Sequence, residues 1–205
     1  MDNRGGAGGG REFFVEGSPF RAGELTAMER EGTLERVLPG LWAPAPFVDT
    51  AQSRARAVAL VLSGIDAVAV CGETAAWLYG VAESPRAIDT VVKRFLRSPR
   101  NAPGPPLRIV SLGVGPSDVL TMSGVPLTTP LRTAFDAAVH FGDDRDAVRV
   151  VRRFLRSGHL AVDVESLVAK INEVKRRPGK LRALARVDDA ARGLPHQPVV
   201  LDRAG

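Results

Sequence analysis

The stretch AVAVCGETAAWLYGV, residues 67–81, carries a strand signal and a helix signal back to back. Ala67 to Cys71 is short, apolar and closed by Gly72, the pattern of a buried strand. Thr74 to Tyr79 then reads as a short helix that stops at Gly80. A strand feeding directly into a helix makes the surrounding domain mixed rather than all-α or all-β. Upstream, Ala55, Val58, Ala59 and Leu62 fall at helical spacing and predict a helix over 51–62, with Arg54 and Arg56 off the apolar stripe. Downstream, Ile88–Lys93 and Leu107–Leu112 are β-branched runs separated by SPRNAPGPP, a loop that proline keeps out of any ladder, and Val125–Thr128 is a last short strand.

Moving outward, residues 1–18 are rich in glycine and polar side chains and read as a disordered tail. A helix over 22–31, with Leu25 and Met28 on one face, ends at Gly32, and two β-like runs, 33–38 and 41–43, are joined by the turn dipeptide Pro39-Gly40. APAPF, residues 43–47, reads as a linker. After residue 128 the pattern is helical. Thr129-Pro130 opens a helix whose apolar face holds Leu131, Ala134, Phe135, Ala138 and Val139. A helix over 143–157 carries Ala147, Val148, Val151, Phe154 and Leu155 on one side, and two more follow over 164–175 and 180–192. The predicted fold class is therefore α+β. A short winged-helix-like module (19–47) leads into a mixed α/β domain (48–192) with a helical, basic C-terminal part, followed by a tail (193–205).

The chain has 205 residues, 44% hydrophobic and 25% charged, with a mean hydropathy of −0.01, which suits a globular fold. No run approaches the roughly 18 apolar residues of a membrane span, and Met1 to Arg11 has no apolar stretch of a leader, so the expected compartment is the cytoplasm. The single cysteine, Cys71, cannot form an internal disulfide. His140, His159 and His196 are too scattered for a zinc ligand set, so neither a metal nor any other cofactor is expected. The net charge of +5 is unevenly placed: residues 1–144 sum to −2 and residues 145–192 to +7. Such asymmetry points to nucleic acid or an acidic protein as partner, while 24 arginines against 4 lysines are also what a GC-rich codon bias produces.

Catalytic patterns mostly fail. Neither phosphate-loop signature occurs, since Leu112–Pro116 reads only LGVGP. Cys71 lies in an apolar strand pattern, where a thiol is structural, and His140 and His159 fall near helix ends. Asp163 with Glu173-Val174-Lys175 spells the acid and Glu-x-Lys of metal-dependent nucleases. On a helix Glu173 and Lys175 are about 200° apart and diverge, whereas a strand would place them on one face. No enzymatic activity and no catalytic residue are expected.

Binding is the better prospect. Arg145, Arg149, Arg152 and Arg156 lie within about 60° of one another on their helix and form a ridge opposite the apolar stripe. Lys170, Lys175, Arg176 and Arg177 reinforce it, and together these eight residues are the expected contacts for nucleic acid or a protein partner. The helix and hairpin of 20–44 could be the reading helix and wing of a DNA-binding module, but Arg21, Arg30 and Arg36 against Glu24, Glu29, Glu31 and Glu35 give a net of −1, a poor match to phosphate. A structural accessory hairpin is the alternative.

In sequence order, RAGELTAMEREGTLERVLPGLWAP, SRARAVALVLS, GETAAWLYGV, SGVPLTTPLRTAFDAA and VRRFLRSG resemble the AbiEi-type antitoxins of actinobacteria over residues 19–192. The resemblance implies a winged-helix module followed by an α/β antitoxin domain. It also implies repression of the protein's own operon at operator DNA and neutralisation of a cognate nucleotidyltransferase toxin. Two departures stand out: the winged-helix part is abbreviated and acidic, and only GLPHQPVVLDRAG stands where some relatives continue into a nuclease domain, so nuclease activity is not expected. The alternative is a DNA-binding remnant of a longer nuclease-fused protein, without antitoxin activity.

Overall fold

The structure, a computed structural model, describes residues 12–17, 19–93, 104–173 and 179–194. The chain divides into two compact units, 1–129 and 130–205. The fold is α+β, with seven α-helices and two sheets among the described residues.

The first unit begins with a three-stranded antiparallel sheet of β1 (Phe14–Val15), β2 (Leu34–Leu38) and β3 (Leu41–Pro44), in the order β1-β3-β2. Helix α1 (Ala22–Arg30) precedes the β2-β3 hairpin, whose turn needs the positive φ of Gly40, +76°. Leu25, Leu34 and Trp42 form the small core, with Phe14, Phe20 and Met28 packed against it. Phe14 and Val15 correct the expectation of a structureless tail over 1–18. Two aromatic and β-branched residues pair with Trp42 and Leu41, and the partly buried Phe14 contributes to the core. One helix precedes the hairpin, as the sequence reads.

The larger sheet of this unit holds β4 (Ala67–Val70), β5 (Ile88–Val92), β6 (Leu107–Ile109), β7 (Val119–Met122) and β8 (Val125–Thr128) in the order β6-β5-β4-β8-β7. Pairing is parallel for β4 with β8 and for β5 with β6, and antiparallel for the other two pairs. Strand β7 is absent from the sequence reading; it is the hairpin partner of β8 across Ser123-Gly124, both with positive φ. Helix α2 (Ala51–Val61) is N-capped by Thr50, whose hydroxyl accepts the Ser53 N–H at 3.1 Å, and buries Ala55 and Val58 as its spacing predicts. Helix α3 (Gly72–Leu78) follows β4 and buries Trp77 and Leu78. The predicted loop between β5 and β6 falls mostly outside the described residues.

The second unit is helical: α4 (Pro130–His140), α5 (Asp144–Arg156), α6 (Val164–Glu173) and α7 (Lys180–Ala191). Helix α5 packs on α4 and α7, and α6 also packs on both α4 and α7. Helix α4 is buried almost all round rather than on one stripe. Arg132 and Asp136, both buried, pair on it at 3.0 Å, which satisfies two charges that would otherwise be stranded. Asp143 caps α5 by accepting the Asp146 N–H at 2.9 Å.

Candidate binding site on the basic helix

Helix α5 has two faces. Ala147, Val150, Val151, Phe154 and Leu155 are buried on one side. The other side forms a groove of about 430 Å³ lined by Arg145, Val148, Arg149, Arg152, Arg153 and Arg156. At about 100° per residue the lining spans roughly 140° of the helix circumference, centred opposite the buried stripe. All four ridge arginines read from the sequence are present in it. The reading missed two members: Val148, which it counted with the apolar stripe, and Arg153. Both flank the ridge, and a wider angular window would have included them.

The four ridge residues are not equivalent. Arg152 is half-buried and donates to the main-chain carbonyls of Asp189 at 2.5 Å and Ala190 at 3.1 Å, closing the C-terminal end of α7. Arg149 is exposed and pairs with Asp146 at 2.8 Å. Arg145 and Arg156 are exposed and have no ion pair among the described residues. The charge available at the rim is therefore smaller than the sequence count. Arg186, counted in the basic third of the chain, is buried as well. It donates to the carbonyls of Ala138 at 2.8 Å and Phe141 at 2.9 Å and pairs with Asp144, tying α7 to the end of α4 and the start of α5.

Of the reinforcing cations, Lys170 lies half-buried in the last turn of α6 and does not line the groove. Lys175, Arg176 and Arg177 lie outside the described residues. Of the Glu-x-Lys triplet, Glu173 ends α6, and Val174 and Lys175 lie outside the described residues. Asp163 has a structural role. It caps α6, accepting the Ser166 N–H at 2.7 Å and the Ser166 hydroxyl at 2.8 Å, and the backbone hydrogen bond is the main cause that holds its carboxyl below the ordinary range. Among the described residues no group of three His, Cys, Asp or Glu is placed to hold a metal ion.

In the N-terminal module the most prominent charges neutralise one another. Glu29 accepts from Arg36 at 2.7 Å and from the Trp42 ring N–H at 2.8 Å, and these bonds hold its carboxyl below the usual value. Arg36 also lies over the Trp42 ring, 5.0 Å from its centroid. A hairpin arginine engaged in this way has little to offer a phosphate.

The motif at residues 72–81 builds a lock. Buried Asp89 on β5 accepts the Glu73 N–H at 3.1 Å at the start of α3 and both an Nε and an Nη of Arg108 on β6. Gly72, at φ +56°, leaves the room: a Cβ there would stand 2.7 Å from Asp89 Oδ2. At the other end of α3, Arg54 donates to the Trp77 carbonyl at 2.7 Å while pairing with Asp49. Cys71 is buried at the N-cap, as expected of a structural thiol.

Residues 68–157, from β4 to just past the end of α5, match the AbiEi antitoxin C-terminal domain. That stretch includes the Asp89 lock and the whole groove. Among solved structures, the crystal structure of the RV2827C protein from Mycobacterium tuberculosis is similar at 18% identity and a TM-score of 0.43, covering 82% of this chain and 64% of that one. The chain thus spans under two thirds of that protein's length. No curated protein matches. No described helix is long and apolar enough to cross a membrane.

Proposed function

We propose that this chain is a non-enzymatic, cytoplasmic antitoxin-type regulator that neutralises a cognate nucleotidyltransferase toxin and represses its own operon. The observation that carries the reading is the position of the Arg-lined groove on the last helix of the stretch that matches the antitoxin domain. Residues 48–192 act as the antitoxin domain and 19–47 as an accessory winged-helix-like module. The module's neutralised hairpin supports assigning operator contacts to the basic C-terminal part, with Lys170, Lys175, Arg176 and Arg177 as phosphate partners and the α5 arginines available to the toxin or to DNA.

Co-purification with the product of the adjacent open reading frame, followed by a salt-titrated shift assay on the shared promoter, tests the reading. A stable complex and a salt-sensitive shift are expected. Promoter binding with neither complex nor toxin neutralisation would favour a DNA-binding remnant instead.

A further inference from the structure

We infer that the β2-β3 hairpin is a clasp: its tip holds the N-terminal module against the part of its unit that carries the larger sheet, and it is not a wing free to enter a DNA groove. The inference rests on packing alone and goes beyond the antitoxin reading, so either can fail without the other. Side chains alternate across β3, so Trp42 faces the small core under α1 while Leu41 and Ala43 face the other way. A three-stranded sheet with one helix covers only one of its faces, and the other would meet water. Here Leu41 is 0% and Ala43 1% exposed, and Leu38 on β2 is 1% exposed. None of these belongs to the core of Leu25, Leu34 and Trp42, so the second face of the hairpin is covered as well.

The contacts at the tip show what covers it. Gly40 meets Gly104 backbone to backbone: a Cβ on Gly40 would stand 3.1 Å from the Gly104 carbonyl carbon and 3.2 Å from its Cα and oxygen. Both glycines have positive φ, +76° and +105°, and a Cβ on Gly104 would in turn lie 3.7 Å from Val15 of β1. Beside the tip, the Ser84 hydroxyl, in the connection between α3 and β5, donates to the Val37 carbonyl at 3.0 Å. The exposed pair of Glu12 with Arg56 on α2, at 2.6 Å, is a weak further tether. Gly104 stands three residues before β6, the short edge strand whose Arg108 is held by Asp89. The clasp therefore fixes the entry to that strand while the Asp89 pair fixes its middle. A β-ribbon that reads DNA enters the groove with side chains accessible to the base edges. On β2 the exposed residues are Glu35 and Arg36, and Arg36 is taken up by Glu29.

Hydrogen exchange of the full chain, read by mass spectrometry, tests the clasp. In the wild type, the peptide spanning residues 37–42 should exchange within about tenfold of those spanning β4 and β5, because the tip opens only with the sheet. Gly40→Ala is the test variant and Gly32→Ala its control. Gly32 has nearly the same φ, +75°, but a Cβ there meets nothing within 4 Å. Both substitutions carry the left-handed strain, and only the first pushes on Gly104. Gly40→Ala should therefore speed exchange at residues 104–109, far away in sequence, at least about tenfold more than Gly32→Ala does.

A wild-type tip that exchanges about a hundredfold or more faster than β4 and β5 would overturn the clasp, whether or not the variants fold. So would an equal response of residues 104–109 to the two substitutions. Neither result bears on toxin neutralisation, which the co-purification and the shift assay test separately.

Discussion

Gly72 is the residue on which the motif at 72–81 turns. A left-handed backbone at φ +56° and a Cβ that would approach Asp89 Oδ2 to 2.7 Å both exclude a side chain there. Gly72→Ala should cost roughly 2–3 kcal/mol, visible as a lower urea midpoint, because Asp89 is pinned by Arg108 and the Glu73 N–H and cannot move aside freely. Asp163 illustrates a second kind of residue, a carboxylate with catalytic spelling and a capping role. Its folded pKa is depressed, so its stabilisation is present above the unfolded value of about 3.9 and is lost as pH falls through the folded value. Asp163→Ala should therefore cost about 1 kcal/mol at neutral pH. The difference from wild type should shrink to nothing in unfolding measurements taken at pH below both values. An equal deficit at acid pH would contradict the capping role.

At the scale of the element, the apolar periodicity of α2 and α5 was legible because an amphipathic stripe is a property of the helix itself. What the pattern could not show was which polar residues on the other face are spent on neighbours. Arg54, Arg152 and Arg186 all read as surface cations, yet each donates to carbonyls at the C-terminal end of another helix. These bonds join residues 23 to 48 positions apart, beyond any local window. Arg132 and Asp136 escaped for the same reason, since their burial comes from packing around α4. Strand β7 is different: its turn dipeptide Ser123-Gly124 is a legible hairpin signal, but a short, half-exposed edge strand adds little pattern to it. Two arginines of α5 separate the roles. Arg152→Ala should lower stability by about 1–2 kcal/mol through the orphaned α7 carbonyls, whereas Arg145→Ala should leave the urea midpoint within about 0.5 kcal/mol. Equal losses of stability in both would mean that the ridge is one structural network.

Over the whole molecule, the α+β class and the uneven charge were both visible in sequence, and each has a structural counterpart. The sum of +7 over 145–192 concentrates in part on one face of α5, although the bonds of Arg152 and Arg186 leave fewer arginines for a ligand than the count implies. The division at residues 129 and 130 was not legible. The proline-rich APAPF run looks like a linker, but β3 includes Pro44 and no compositional break marks the step from β8 into α4. The match to the antitoxin domain runs across that division, from β4 to just past α5, so both units contribute to the matched domain. The most direct measurement is survival of cells expressing the product of the adjacent open reading frame together with either the wild-type chain or its Arg145→Glu/Arg156→Glu variant. Full rescue by the wild type and loss of rescue by the folded variant is the predicted result. No rescue by the wild-type chain would contradict the antitoxin account.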